Sequence, residues 1–173
     1  MTPHFRKKAK LPFDRDLFLS TFSGLETGVA TTTAIIIGLL ISGGSISIVV
    51  TAAYIALSVQ AFNSAVARYM SLRTSMEIDD QTESEVRKPL LNAITQFTSH
   101  VVASSMPILP LFLLQDRLHI AVAGIALSTG TLLTAGLIQG FFLKIQARHN
   151  IQEIVLTGMM VVVVGSLAGF LLS

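Results

Sequence analysis

Apolar residues run along the chain in five long blocks: Leu17–Ser42, Ser45–Met70, Leu90–Leu114, Leu118–Ile145 and Ile151–Leu172. A helix needs about 20 such residues to cross the hydrocarbon core of a bilayer, and every block is long enough. The pattern predicts five transmembrane helices. Gly43-Gly44 divides the first two blocks, Gln115–Arg117 the third from the fourth, and Gln146–Asn150 the fourth from the fifth. Only Ser71–Pro89 is long enough to carry structure of its own between spans. The expected fold is therefore all-α and polytopic. It has a basic segment at 1–16, a five-helix membrane domain at 17–173, and a short acidic loop at 71–89.

Composition agrees. The chain is 51% hydrophobic and 13% charged, against about 25% charged in ordinary soluble domains. It has no cysteine, which excludes disulfides and thiolate chemistry. The first block is longer than the apolar core of a cleaved signal peptide. Charge placement then sets direction. Arg6, Lys7, Lys8, Lys10 and Arg15 precede the first block. Arg68, Arg73, Arg87 and Lys88 flank the middle loop, and Lys144 and Arg148 lie between the fourth and fifth blocks. Five alternating spans put all of these on one side and leave only Arg117 opposite. The positive-inside rule makes that side cytoplasmic, with the N-terminus inside and the C-terminus outside. No basic patch interleaved with aromatics suggests nucleic acid. No nucleophile–base pair or phosphate loop suggests an enzyme.

Polar residues inside the blocks are the candidate chemistry. Glu26 is read as the only carboxylate buried within a long apolar block. Its insertion costs about 2.5–3.5 kcal/mol unless a proton, partner, water or cation offsets it. At a rise of about 1.5 Å per residue, Glu26, Gln60, His100 and Thr134 all fall roughly 14–16 Å from the cytoplasmic ends of their spans. Spacings of three and four extend two of these positions into stripes: Gln60, Asn63 and Ser64 on the second span, and Asn92, Gln96, Ser99 and His100 on the third. Thr27, Thr31, Thr32 and Thr33 follow Glu26 on the first. One polar layer around a path is one reading; hydrogen bonding between helices, including a Glu26–His100 pair, is the other. Carboxylate oxygen and neutral imidazole suit Fe, Mn or Zn, and either group can hold a proton.

Gly24/Gly28, Gly136/Gly140 and Gly165/Gly169 have the small-xxx-small spacing of close helix contacts, within a bundle or at a dimer seam. Pro107 and Pro110 predict a kink in the third span. In the loop, Glu77, Asp79, Asp80, Glu83 and Glu85 form an acidic cluster that would gather divalent cations or stay solvated. Thr82-x-x-Glu85 reads as a capping box.

Particular stretches resemble the vacuolar iron transporter family. Phe62-Asn-Ser-Ala-Val-Ala-Arg-Tyr-Met-Ser-Leu-Arg-Thr-Ser75 is similar to its second-span pattern F-S-M-G-x-G-x-Y-L-S-x-K-S. Pro89-Leu-Leu-Asn-Ala-Ile-Thr-Gln-Phe-Thr-Ser99 with Pro107-Ile-Leu-Pro110 resembles its third-span P-x-x-x-A-x-x-T-F-x-S-F and I-P-L-L-P. Gly24 to Gly38 is similar to its G-L-D-G-I-V-T-T-F-A-I-V-A-G with one residue inserted. The likeness is read as covering spans one to three well, and spans four and five mainly by length and glycine placement. It implies five spans and a homodimer that moves Fe²⁺ or Mn²⁺ out of the cytosol in exchange for protons, along a path between protomers. Three of the family's ligand positions are altered. Its first-span aspartate falls at Glu26 or Thr27, its second-span acidic residue at Gln60, and its second-span methionine at Ser64. Its long cytoplasmic metal-binding region shrinks to 71–89.

The expected site is thus Glu26 and His100 for ion or proton, with Thr27, Gln60, Asn63, Ser64 and Gln96 lining the path. Glu26, Glu77, Asp80 and Glu83 are the expected metal contacts. No resident cofactor is expected; the divalent cation is substrate. The expected partners are a second copy, the lipid bilayer, the cation and protons. The expected setting is an integral membrane protein of a prokaryotic plasma membrane, or of a vacuolar-type membrane in a eukaryote. The alternative is a non-transporting relative that acts as a structural partner.

Overall fold

A computed structural model describes residues 14–78, 87–143 and 147–173. Among these there are helices and no strands. The helices are α1 (Arg15–Ile41), α2 (Ile46–Ile78), α3 (Arg87–Ile108), the single turn α4 (Pro110–Leu113), α5 (Arg117–Leu143) and α6 (Ala147–Leu171). Four are long and apolar enough to cross a membrane: α1, α2, α5 and the 151–171 stretch of α6. The third expected span, Leu90–Leu114, is not among them. Asn92, Gln96, Ser99 and His100 lower the hydropathy of α3, and the helix is interrupted at Leu109 before α4. The prolines explain that break. Pro107 sits inside α3 and Pro110 opens α4, and each removes a backbone donor.

Local chemistry fixes the other ends. Asp14 caps α1 by accepting from the Asp16 and Leu17 amides at 2.8 and 3.5 Å, the ordinary role of an N-cap carboxylate. At the other end Gly43 takes φ +83°. The Gly44 amide donates to Leu39 at 3.0 Å and the Gly43 amide to Leu40 at 3.3 Å. This paired closure, with a left-handed glycine, ends a helix sharply and lets α2 return at once. Asp116 caps α5. The His119 backbone amide and ring both donate to its carboxylate and hold its pKa below the ordinary value.

The loop between the second and third spans is shorter than the hydropathy pattern predicts. α2 does not stop at Met70 but stays helical to Ile78. Asp79, Asp80, Glu83, Glu85 and the Thr82 capping box lie outside the described residues.

α1 is the centre of the bundle. Its most apolar stretch is 61% buried, against 17–33% for the other three candidate spans. It packs on α2, α3, α5 and α6. Toward the end of α1 near Gly43, Ile36 and Leu40 pack with Val49, Ala53, Leu57, Ile108, Leu111 and Ile120. Lower down, Val29 packs with Ala103, Leu132 and Ile154. Large apolar side chains cover the outside, among them Leu118, Phe141, Leu156 and Phe170, as lipid contact requires. Five of the six paired glycines meet a neighbouring helix of this bundle rather than a free face. Gly24 and Gly28 meet α3, Gly136 meets Ile151 of α6, and Gly165 and Gly169 meet Ala34 and Gly38 of α1.

Candidate cation pocket

Glu26 leaves the axis of α1 toward α5 and α6. Its Oε1 accepts a hydrogen bond from Gln139 Nε2 of α5. Both groups line a cavity of about 540 Å³ with Ser23, Thr27 and Thr31 of α1, Arg68 of α2, and Glu153 and Thr157 of α6. Glu153 is near enough to act on Glu26 electrostatically. The pocket therefore gathers two carboxylates, a primary amide, four hydroxyls and one guanidinium from four helices.

The hydroxyls recur at every fourth residue of α1, so Ser23, Thr27 and Thr31 form one stripe. Thr27 donates to the Ser23 carbonyl at 2.7 Å and Thr31 to the Thr27 carbonyl at 2.6 Å. Their protons are turned back to the helix, which leaves oxygen lone pairs for the cavity. Oxygen from carboxylate, amide and hydroxyl is the donor set of hard and borderline cations.

Arg68 is held at the edge. Its Nε donates to Ser20 Oγ at 2.8 Å and its Nη2 to the Asp16 carbonyl at 3.1 Å. Ser20 also contacts Asn92 Oδ1 at 2.7 Å, and Lys88 pairs with Asp16 at 2.7 Å. This clasp ties the ends of α1, α2 and α3 together beside the pocket.

The single polar layer expected from depth alone does not form. Thr27 joins Glu26, but the other path residues go elsewhere. Gln60 lines a separate apolar groove further along α1 toward Ser42, with Ala34, Gly38 and Gly165. Asn63 is exposed outside the pocket. Ser64 returns its proton to the Ala61 carbonyl at 3.0 Å, and exposed Thr134 does the same to Gly130 at 2.8 Å. Gln96 and His100 are buried between α3 and α1, so neither reaches Glu26 and the Glu26–His100 pair is absent. The physical reason is azimuth: each residue turns a helix by about 100°, so equal depth does not bring side chains to one point.

Glu77, expected to gather metal, is exposed and paired with Arg73 at 3.0 Å. Asp80 and Glu83 lie outside the described residues. No group of three or more metal-ligating His, Cys, Asp or Glu occurs among the described residues.

Glu153, Gln139 and Arg68, with the hydroxyls of Ser23 and Thr157, are the polar pocket residues that hydropathy reading missed. Glu153 stands third in its block, where a carboxylate reads as interfacial. Gln139 falls five residues before Lys144 and off the common depth. The signal was available: two polar residues on the fourth and fifth spans, near the same end as Glu26. Replacing Gln139 by Leu removes the donor that aims the carboxylate. Outer-shell changes of this kind cost metal sites about 10–100-fold in affinity, and Mn²⁺ titration of the purified variant should show a loss in that range.

Residues 72–170 match the sequence model of the VIT family. That is more than half of the chain. The matched stretch holds α3, α5 and nearly all of α6, with Gln139 and Glu153, and leaves α1 and Glu26 outside. The match thus covers the third span, whose motifs carry much of the resemblance, together with the fourth and fifth, where the motif likeness is thinner. Among curated proteins none matches the chain.

Proposed function

The chain belongs to the VIT family, integral membrane proteins that move metal ions rather than catalyse reactions, and we propose that it exports a divalent cation, Fe²⁺ or Mn²⁺, from the cytosol in exchange for protons. The observation that carries this reading is the pocket itself. Glu26 and Glu153, from α1 and α6, line one cavity with amide and hydroxyl oxygen. A charge at the depth of Glu26 is costly in a membrane and usually marks an ion or proton route. A cation arriving between the carboxylates favours their ionised form, and its departure favours protonation. That alternation is what exchange for protons needs.

The five-span arrangement, with the N-terminus in the cytoplasm, belongs to this reading. α3, continued by α4, is then the third of the five spans, its polar face turned onto α1. The pocket opens near the cytoplasmic ends of the helices, close to Arg68 and Glu153.

A single protomer leaves the pocket uncovered. Ser23, Thr27, Glu153 and Thr157 are exposed along it. Polar surface of this kind cannot face hydrocarbon without cost, so a second copy is read as its cover, with the path between protomers. The chain has no cysteine, which makes this simple to check. Thr27→Cys should give a disulfide-linked dimer in membranes under mild oxidation, whereas Phe170→Cys, on the lipid-facing side, should stay monomeric on a denaturing gel.

One observation favours the non-transporting alternative: Arg68 places a resident positive charge on the same cavity. A flux panel decides between them. Proteoliposomes loaded with a metal indicator and a pH dye should take up Mn²⁺ or Fe²⁺ and release protons. No movement of Fe²⁺, Mn²⁺, Co²⁺ or Zn²⁺ would select the alternative.

A further inference from the structure

α3 turns a row of polar side chains onto α1. Asn92, Gln96, His100 and Ser104 recur at every fourth position and all are buried. α1 answers with Ser20, Gly24, Gly28 and Thr32, also four apart and buried. The register is direct. Ser20 contacts Asn92, a Cβ at Gly24 would meet the Gln96 carbonyl, and one at Gly28 would meet the His100 carbonyl and the Ser104 hydroxyl.

Only the Ser20–Asn92 end of the seam is satisfied. Gln96 Oε1, both ring nitrogens of His100, Ser104 Oγ and Thr32 Oγ1 are buried with no hydrogen-bond partner among the described residues. His100, Ser104 and Thr32 are 0–1% exposed. Each such group costs about 1–3 kcal/mol while it stays unmatched. A seam that is permanently shut has no use for five of them, since apolar side chains of similar size would pack there without that penalty. A seam that opens to water recovers the lost hydrogen bonds each time.

The charged and titratable groups on neighbouring helices are directed elsewhere. On α1, Glu26 stands about 200° around the helix from Gly24 and Gly28 and lines the pocket; Arg15 and Asp16 are at the helix start. On α2, Tyr54 is exposed, Arg68 is bonded to Ser20, and Tyr69, Arg73 and Glu77 follow toward the helix end. On α5, Arg117 and His119 lie at the far end, and α4 carries no ionisable side chain. His100 is therefore an isolated imidazole, the side chain most suited to exchanging a proton near neutral pH.

We propose that His100 is a second proton-binding site of the transport cycle beside the pocket carboxylates, shut between α1 and α3 in the conformation seen here and reached by water past Gln96 and Ser104 when the two helices part. The inference rests on the exchange reading above and deepens it. The pocket carboxylates and this imidazole lie on opposite sides of α1, and the movement of that one helix couples them.

Two measurements test this. The first needs no transport: hydrogen–deuterium exchange at the imidazole C2 position, read by mass spectrometry on the wild-type protein in nanodiscs. His119 is exposed and serves as the internal reference. Opening of the seam predicts exchange at His100 within about tenfold of His119. An unlabelled His100 beside a fully exchanged His119 overturns the proposal. The second uses His100→Gln, or His100→Asn should the first variant fail to fold, in proteoliposomes. Mn²⁺ binding should stay at the wild-type level while proton release per Mn²⁺ falls. Unchanged proton release overturns the proposal, as does loss of Mn²⁺ binding, which would put His100 in the cation site. A wild-type protein that moves no divalent cation overturns export itself, and the exchange measurement then reports water access to His100 on its own.

Discussion

Glu26→Gln should lower divalent-cation flux into proteoliposomes by at least about 100-fold, the upper end of what even outer-shell changes cost at metal sites. The substitution is nearly isosteric. Its side-chain carbonyl can still accept from Gln139 Nε2, so the α1–α5 contact survives and the protein should elute from a sizing column like the wild type. What is lost is the negative charge in a pocket that also holds Arg68. With Glu26 neutral, Glu153 alone offsets that guanidinium, and the cavity has no net charge with which to attract a cation. Retained flux in a folded Glu26→Gln protein would reject the role assigned to this carboxylate.

The second large effect concerns the bundle. Gly28→Val should destabilise the fold by about 1–3 kcal/mol, the usual cost of overpacking a close contact. A Cβ at Gly28 would sit 2.6 Å from the His100 carbonyl oxygen and 3.1 Å from the His100 Cα. These are backbone atoms, so relief requires α3 to move off α1 rather than a side chain to turn. Gly130→Ala is the matched control. No atom lies within 4 Å of a Cβ placed there, and removing a helix-interior glycine gains up to about 1 kcal/mol of propensity. Thermal unfolding in detergent should move down for Gly28→Val and level or up for Gly130→Ala. Equal transitions would mean that the α1–α3 seam is looser than the structure has it.

Much of the fold was legible because a bilayer demands long apolar blocks, and Leu17–Ser42, Ser45–Met70, Leu118–Ile145 and Ile151–Leu172 correspond closely to helices. Their ends were less legible. Hydropathy falls at Met70 where charge begins, but helical hydrogen bonding continues through Arg73 and Glu77, whose i,i+4 pair suits a helix surface. α3 failed the same test from the other direction. Its polar residues face a neighbouring helix rather than lipid, and a hydropathy average cannot tell those two directions apart.

The site was half legible. Glu26 stood out from its cost, and Thr27 from its place beside it. Depth could not add the rest, because depth ignores which way a side chain turns. Gln60 and His100 share Glu26's level but look away from it. Gln139 and Glu153 lie off that level and meet it, since α5 and α6 pack on the α1 face that carries Ser23, Thr27 and Thr31. The i,i+4 spacing of those hydroxyls fixed a face of α1; which helices would cover it is a tertiary fact.

The central claim is that Glu26 and Glu153 hold the transported cation. Crystals of the protein grown with Mn²⁺, with data collected where manganese scatters anomalously, test it most directly. The account predicts an anomalous peak in the cavity, within coordination distance of the Glu26 and Glu153 carboxylates and absent from Glu26→Gln crystals. A peak confined to Glu77 at the end of α2, or one that persists in the Glu26→Gln pocket, would contradict it.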